Sequence, residues 1–263
     1  MNEFLGDDHS VALQKSILAR AGDIATNPLL ANGGRILNIL DPELYGWENI
    51  RIDAERDGFV GLTMVDRDPT LSKLAEVFGE GCTFPFWGAF TGTPKDVLPV
   101  CASIVSKIVL PDNWTVTGQT HPDDKSLHDA QVLNDQTGVA PTPAYFLQGD
   151  QIPSMLTCIH NDNGDLAACA SGSMRYHPEG PLSGWFFAGA VSVSPDHRRM
   201  RLGTLVNALL LEQSHKAHAW TTVLEQAKED NAPSIGMITR CGLRQESSKV
   251  TIVVNPSGRH VTR

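Results

Sequence analysis

The chain has 263 residues, of which 41% are hydrophobic and 19% charged, and its formal net charge is −9. This composition predicts a folded protein of one large or two smaller domains, and it excludes disordered, collagen-like and disulfide-dense classes. The acidic balance argues against general binding of nucleic acid, which requires a basic surface. The charge is uneven, since residues 1–144 carry −10 and residues 145–263 carry +1. An anionic ligand is therefore expected in the second part.

The start of the chain and the cysteines bear on the compartment. The first ten residues are acidic and lack the cationic and apolar regions of a signal peptide. No apolar run reaches the roughly 18–20 residues of a membrane-spanning helix. The five cysteines form no CxxC pair, which predicts buried thiols in a reducing compartment. We therefore expect a cytoplasmic protein with no membrane association and no metal site.

Residues 1–110 show both helical and strand patterns. The predicted helices are residues 10–21, 70–78 and 97–108. The predicted strands are residues 50–55 and 59–65, joined by a hairpin turn at 56–58. The Pro-Asp-Asn turn at 111–113 is the predicted boundary. The segment before this turn is thus expected to form an accessory α/β domain without a recognisable chemical motif.

Residues 111–263 contain a clearer series of elements. Asn163-Gly164 predicts a hairpin in which Cys158 faces Cys169 and His160 faces Ala167. The other predicted strands are residues 114–117, 174–177, 184–194, 220–224 and 249–254, of which 184–194 is apolar enough for a central position. The predicted helices are residues 123–133, 198–217 and 232–240, with a shorter one within 141–153.

The segment from strand 184–194 into the next helix carries the strongest chemical signal. A helix N-terminus presents free backbone N–H groups and partial positive charge, which suit an anion. Arg198, Arg199 and Arg201 cluster there, and Gly203 allows close backbone approach. A polyanion such as a pyrophosphate would offset this basic cluster, and the alternative is a solvated basic turn.

The order of these motifs resembles the GNAT acetyltransferases, whose pyrophosphate loop follows (Q/R)-x-x-G-x-(G/A) after a strand ending in V-x-P. Val193-Ser194-Pro195 matches the strand end, and the segment from Arg198 to Gly203 matches the loop. The family's Asn and its Gly-aromatic turn correspond to Asn231 and to Cys241-Gly242-Leu243. The resemblance covers roughly residues 111–263.

The resemblance implies a fold and a set of cofactor contacts. The expected fold is α/β (α+β), with a GNAT-like mixed, mostly antiparallel sheet flanked by helices and an N-terminal accessory α/β domain, for which a degenerate copy of the same fold is one option. Acetyl-CoA is the implied co-substrate, without a metal. Strand backbone would bind pantetheine and loop amides would bind pyrophosphate. The implied residues are Ala190, Val191, Ser192, Val193, Arg198, Arg199, Met200, Arg201, Leu202, Gly203 and Thr204, with Asn231 and Ser234 either near the pantetheine or acting as helix caps.

Two positions depart from the family pattern. Arg201 stands where the first glycine of the loop is expected, so its side chain would either crowd the phosphate or bind it. Ile238 stands where many members carry a tyrosine that protonates the departing thiolate, so another group or a water must take that step. A backbone N–H of Val191 or Val193 is the expected oxyanion donor.

The sequence offers only weak candidates for the catalytic base. His177 and Glu179 are the nearest to the expected acceptor cleft, because they end the strand before the central one. His160 and Glu225 are further options. For all four, an ordinary surface or structural role is the competing interpretation.

The predicted function is an acetyl-CoA-dependent N-acetyltransferase that acts on a small amine or amino-acid-like acceptor by direct transfer in a ternary complex. The acidic first part would attract a cationic acceptor. The main alternative is a non-catalytic acyl-CoA-binding sensor or interaction module, and a third option is other thioester chemistry. No nucleic-acid or membrane partner is expected. The oligomeric state is open, with a homodimer as one option.

Overall fold

Ten strands form one continuous sheet in the computed structural model, which describes residues 3–256. The strands are β1 (Leu30–Asn32), β2 (Leu37–Ile39), β3 (Val60–Asp66), β4 (Phe86–Gly92), β5 (Thr115–Gln119), β6 (Ser154–His160), β7 (Leu166–Ser173), β8 (Trp185–Val193), β9 (Thr222–Ala227) and β10 (Arg244–Val254). Their order in the sheet is β1-β2-β3-β10-β4-β9-β8-β7-β6-β5. Only β2 with β3 and β8 with β9 pair in parallel among these strands, so the sheet is mixed and mostly antiparallel, as predicted.

Helices flank this sheet. They are α1 (Asp8–Ala19), α2 (Ala21–Thr26), α3 (Pro42–Tyr45), α4 (Trp47–Asp57), α5 (Arg67–Phe78), α6 (Pro94–Lys107), α7 (Asp124–Gln136), α8 (Ala144–Leu147), α9 (Leu202–His218) and α10 (Ala232–Arg240). The largest core lies between α9 and the sheet, where Leu205, Val206 and Leu210 are buried at helical spacing. Within residues 3–256, no helix is both long and apolar enough to cross a membrane.

The two parts of the chain share the sheet. β4, which precedes the predicted boundary, pairs with β9, which follows it. The last strand, β10, lies between β3 and β4 and pairs antiparallel with both. The sheet therefore continues across the predicted boundary near residue 111, and the division into two domains stays a prediction.

The hairpin of β6 and β7 is confirmed, with Cys158 opposite Cys169. An irregularity beyond Ile159 places His160 opposite Leu166, so the predicted partner Ala167 is wrong by one residue. The predicted strand at 174–177 is also wrong. Only Tyr176 in that segment forms an isolated bridge, to Ala31.

The prediction of a strand at residues 50–55 is wrong, because these residues lie within α4. Apolar and charged residues alternate there, but the buried face follows helical spacing through Ile50, Asp53 and Asp57. The two buried carboxylates form ion pairs with Arg20 and Arg56, which makes their burial tolerable. The residues 56–58 end the helix at a left-handed Gly58 and do not form a hairpin turn.

Candidate functional site

The central feature of the site is an opening between β8 and β9. These parallel strands pair only from Trp185 opposite Thr222 to Phe187 opposite Leu224. Beyond Phe187, β8 continues to pair with β7 and β9 continues to pair with β4. Residues 188–193 therefore present one backbone edge without a strand partner among residues 3–256. Such an edge offers N–H and C=O groups to an extended ligand.

A β-bulge changes the direction of the backbone within this edge. Gly189 pairs with Ser171 and Ser192 pairs with Cys169, so Ala190 and Val191 share one partner position on β7. Ala190 adopts a left-handed φ of 48°. The N–H of Ser194 donates to the carbonyl oxygen of Ala167 at 2.9 Å, so strand alternation directs the N–H of Val193 into the opening.

The side chain of Ser192 points away from the opening. It is 2% exposed, and its Oγ donates to Asn134 Oδ1 at 2.8 Å and lies 2.8 Å from Thr137 Oγ1. Both partners belong to the end of α7. Ser192, one of the predicted cofactor-binding residues, therefore contributes only backbone at this position.

A basic loop connects β8 to α9 at the open end. A 3₁₀ turn, Pro195–His197, is held by an edge contact of the Trp114 and His197 rings with centroids 5.0 Å apart. Arg199 and Arg201 follow with left-handed φ values of 65° and 62°. These two residues leave the helical region, so α9 begins at Leu202 and not at the predicted residue 198.

The loop geometry suits an anion. Left-handed residues can turn neighbouring N–H groups toward an anion, and the first turn of α9 adds its free N–H groups because no side chain caps it. Arg198, Arg199 and Arg201 are exposed, and none forms an ion pair with a described acidic residue. Arg201 keeps the left-handed conformation that glycine adopts easily, at a cost of about 1–2 kcal/mol.

The other predicted loop residues divide by side-chain environment. Leu202 is buried in the core, whereas Met200 is 39% exposed. The carbonyl oxygen of Thr204 accepts a weak hydrogen bond from Cys241 Sγ at 3.8 Å. A Cβ on Gly203 would lie 3.6 Å from Val193 Cγ2, which is ordinary contact, so the fold itself does not demand glycine there.

Asn231 and Ser234 serve as a helix cap in the described structure. The side chain Oδ1 of Asn231 accepts a hydrogen bond from the N–H of Ser234 at 3.1 Å, at the start of α10. Ile238, further along the same helix, is 2% exposed and packs in the core. No group capable of protonating a thiolate stands at that position.

A cavity of about 300 Å³ adjoins the opening and is built from both parts of the chain. It is called the β8 cavity here, because Ala188, Gly189 and Ala190 of that strand line it. Its polar lining includes Asn38, Thr63, Ser171, Arg175, Gln226 and Thr251. Sequence reasoning missed these residues, because strand pairing between distant segments brings them together.

The weak base candidates lie elsewhere. His177 Nδ1 accepts from the N–H of Glu179 at 3.1 Å in a turn before β8, and Glu179 is exposed. His177 lines a separate cavity of about 600 Å³. The opening starts at residue 188, roughly 10 Å along β8 from its first residue, at about 3.3 Å per residue. The structure therefore does not bring this pair to the opening.

The remaining candidates do not line the β8 cavity either. His160 lies at the end of β6, where burial lowers its pKa. Glu225 is buried under α9 and accepts a hydrogen bond from Asn207 Nδ2 at 2.8 Å. Within the described part of the chain, no three His, Cys, Asp or Glu side chains are grouped so that they could hold a metal ion.

Comparisons with known proteins agree with this geometry. The sequence model described as "Acetyltransferase (GNAT) family" matches residues 127–243. No curated protein matches the chain.

Solved structures show the same fold at low identity. A GCN5-related N-acetyltransferase from Kribbella flavida superposes with a TM-score of 0.62 at 15% identity, over 97% of this chain and 98% of that one. A tandem GNAT protein from the clavulanic acid biosynthesis pathway gives 0.58 at 16% identity, over 97% of each chain. A GCN5-related N-acetyltransferase-like protein from Streptococcus suis gives 0.54 at 13% identity, over 92% and 98%.

The family match and the fold converge on the same part of the chain. Residues 127–243 contain the opened strand edge, the basic loop and α9. Residues 127–243 match the GNAT acetyltransferase family model, and the chain as a whole shares the fold of GCN5-related N-acetyltransferases.

Proposed function

We propose that the chain transfers an acetyl group from acetyl-CoA to the nitrogen of a small amine, by direct attack in a ternary complex. The observation that carries the proposal is the junction of two features at one end of β8. The edge of residues 188–193 is unpaired, and the uncapped basic turn follows it immediately. An extended arm ending in a pyrophosphate matches that junction.

Each feature has a separate task. The N–H groups from Arg199 to Gly203 would bind the pyrophosphate, and the exposed arginines would add charge-assisted hydrogen bonds. The free edge of β8 would pair with the pantetheine arm. The N–H of Val193, which points into the opening, or that of Val191 would stabilise the oxyanion as the acceptor nitrogen attacks. The C–N bond forms, the C–S bond breaks, and water carries the amine proton to the thiolate, because Ile238 has none to give.

The cysteines support direct transfer over an acyl-enzyme intermediate. A nucleophilic cysteine requires accessible thiolate. Cys101, Cys158, Cys169 and Cys241 are buried. Burial raises the pKa of Cys158 to about 12 and that of Cys169 well above its usual value. Cys82 is half-buried near the end of α5 and outside the lining of the β8 cavity.

The test measures release of free thiol from acetyl-CoA against a panel of small amines, together with acetyl-CoA binding by calorimetry. Arg198→Ala is expected to raise the KM for acetyl-CoA about 10- to 100-fold, since it removes charge-assisted hydrogen bonds worth about 1–3 kcal/mol. The matched control is Arg244→Ala, an exposed arginine on β10 that should leave this KM unchanged. An unchanged KM in Arg198→Ala would remove that residue from the site.

A non-catalytic acyl-CoA sensor is the second candidate. The buried Ile238 favours it, because that position supplies no proton donor. Binding of acetyl-CoA without thiol release from any amine would support the sensor, and absence of binding would contradict both candidates. The proposal keeps the cytoplasmic location predicted from the cysteines.

A further inference from the structure

Arg175 places a half-buried cation in the wall of the β8 cavity. Its guanidinium carbon lies 4.0 Å from the centroid of the Phe187 ring and 5.1 Å from that of Phe146. Both rings line this cavity. The Nε atom donates to Ser173 Oγ at 3.1 Å, which fixes the guanidinium plane against β7 and β8.

The cation has no anionic partner in the described structure. Within residues 3–256, no carboxylate lies within 4.0 Å of Arg175, and its two terminal nitrogens donate to no protein acceptor. Burial lowers the pKa of Arg175 to about 10, so the side chain is still charged at neutral pH. A charge partly withdrawn from water without a counter-ion is costly, and two aromatic faces offset only part of that cost.

The rest of the cavity reinforces this charge. A second arginine, Arg35, contributes to its wall, and no Asp or Glu of the described residues does. The charged side chains of the described lining are thus both arginines, among polar and apolar neighbours. It argues against the expectation that the acidic first part of the chain attracts a cationic acceptor, because none of the described carboxylates lines the cavity.

We propose that the acceptor is a small amino acid whose carboxylate binds Arg175 while its amine reaches the opening beside β8; this rests on the proposed function. A planar guanidinium with free terminal nitrogens matches a carboxylate through two parallel hydrogen bonds. The cavity volume of about 300 Å³ is in the range that suits a small molecule.

Phe187 lies between the arginine that would bind the carboxylate of the acceptor and the strand edge where its amine would react. Phe187 lies under the guanidinium and immediately precedes Ala188, Gly189 and Ala190, which line both the cavity and the opening. A carboxylate held at Arg175 therefore leaves the rest of the molecule facing the bulge. The reaction remains balanced: the ammonium form of the amino acid and the acetyl thioester yield an N-acetyl amino acid, free thiol and one proton at neutral pH.

The substrate test compares acceptors that differ only in the carboxylate. Glycine, β-alanine and 4-aminobutanoate are each paired with the corresponding carboxamide, and kcat/KM is measured at saturating acetyl-CoA. For at least one pair, the kcat/KM of the acid is expected to exceed that of its amide by 30-fold or more, mainly through a lower KM. Equal or greater activity with every amide would overturn the proposal while the proposed function stands.

The variant test assigns the preference to Arg175. Arg175→Gln is expected to raise the KM for the preferred acid at least 10-fold, with the KM for its amide and for acetyl-CoA unchanged, and Arg175→Lys should restore part of the loss. Retained preference for the acid in Arg175→Gln would overturn the assignment. Circular dichroism and thermal unfolding establish that each variant folds, and if Arg175→Gln does not, the same measurement on Arg175→Lys decides, because a point charge cannot reproduce bidentate binding.

The failure of the proposed function is distinguishable from failure of this site. If no amine releases thiol, binding of the N-acetyl forms of the three acids is measured by calorimetry. Binding that weakens at least 10-fold in Arg175→Gln, and less in Arg175→Lys, would still support the carboxylate site, and unchanged binding in both variants would overturn it. Absence of binding to the unaltered protein would overturn it.

Discussion

Glu225 offers a sharp test of how the core beneath the site is built. It lies on β9, is 1% exposed, and accepts a hydrogen bond from Asn207 Nδ2 at 2.8 Å. The Oδ1 atom of Asn207 is buried and has no donor in the described structure. A protonated Glu225 carries the donor that this oxygen lacks. Glu225→Gln should therefore mimic the neutral acid and keep the pair intact.

The magnitude follows from the pKa. Burial raises the pKa of Glu225 from 4.5 to about 7. At 1.36 kcal/mol per pKa unit, the shift corresponds to about 3 kcal/mol. Because the folded state holds the proton more tightly, this stabilisation is complete below pH 4.5 and is lost as pH rises through about 7. The glutamine variant has no proton to lose at this position, so its free energy of unfolding lacks this dependence.

Urea unfolding at pH 5, 6, 7 and 8 measures the effect. The free energy of unfolding of Glu225→Gln, relative to the unaltered protein, should rise by about 2–3 kcal/mol between pH 5 and pH 8. Glu80→Gln, at an exposed loop position, is the matched control and should show a flat difference. A flat difference for Glu225→Gln as well would refute the assignment of a neutral, buried acid.

Two further predictions concern the predicted cofactor contacts. Gly203→Ala should leave stability unchanged or raise it by up to about 1 kcal/mol, since its Cβ meets only ordinary contacts, but it should raise the KM for acetyl-CoA at least 10-fold. Gly22→Ala in α2, with open space around its Cβ, is the control that should leave this KM unchanged, and equal KM values in both variants would contradict the close approach at Gly203. Ser192→Ala should lower the free energy of unfolding by about 1–3 kcal/mol, because Asn134 Oδ1 loses a buried donor, with acetyl-CoA binding unchanged. Calorimetry and denaturant unfolding measure both quantities, and weakened cofactor binding in folded Ser192→Ala would show that its hydroxyl reaches the opening.

Much of the second part could be predicted because its signals are local. Asn163-Gly164 determines the hairpin, Asp123 caps α7, and Asn231 caps α10 through neighbours only a few residues away. The apolar run of β8 predicts its central position for the same reason. The local pattern is misleading at residues 50–55, because a short alternation of apolar and charged residues also fits a strand. Only the structure shows that Asp53 is buried and ion-paired on the inner face of a helix.

The opening and the cavity depend on pairings that no local pattern contains. β8 separates from β9 after Phe187, while β9 keeps its pairing with β4, a strand from the other part of the chain. In the sequence, Arg175 is an ordinary polar residue of the predicted strand at 174–177, and only the fold brings Phe187 and Phe146 against it. The start of α9 was misplaced because the left-handed Arg199 and Arg201 carry no sequence signature of that conformation.

The position of β10 has a consequence for how the protein acquires its structure. A strand that ends at Val254 fills the gap between β3 and β4, so these two early strands cannot complete their hydrogen bonds until almost the whole chain has been synthesised. Pairing over so long a separation is slow, and the waiting edges are open to other chains. Removing the residues after 243 leaves the sequence of the family-matched segment unchanged. We nevertheless expect the shortened protein to aggregate, because its amino-terminal part cannot form its sheet without β10.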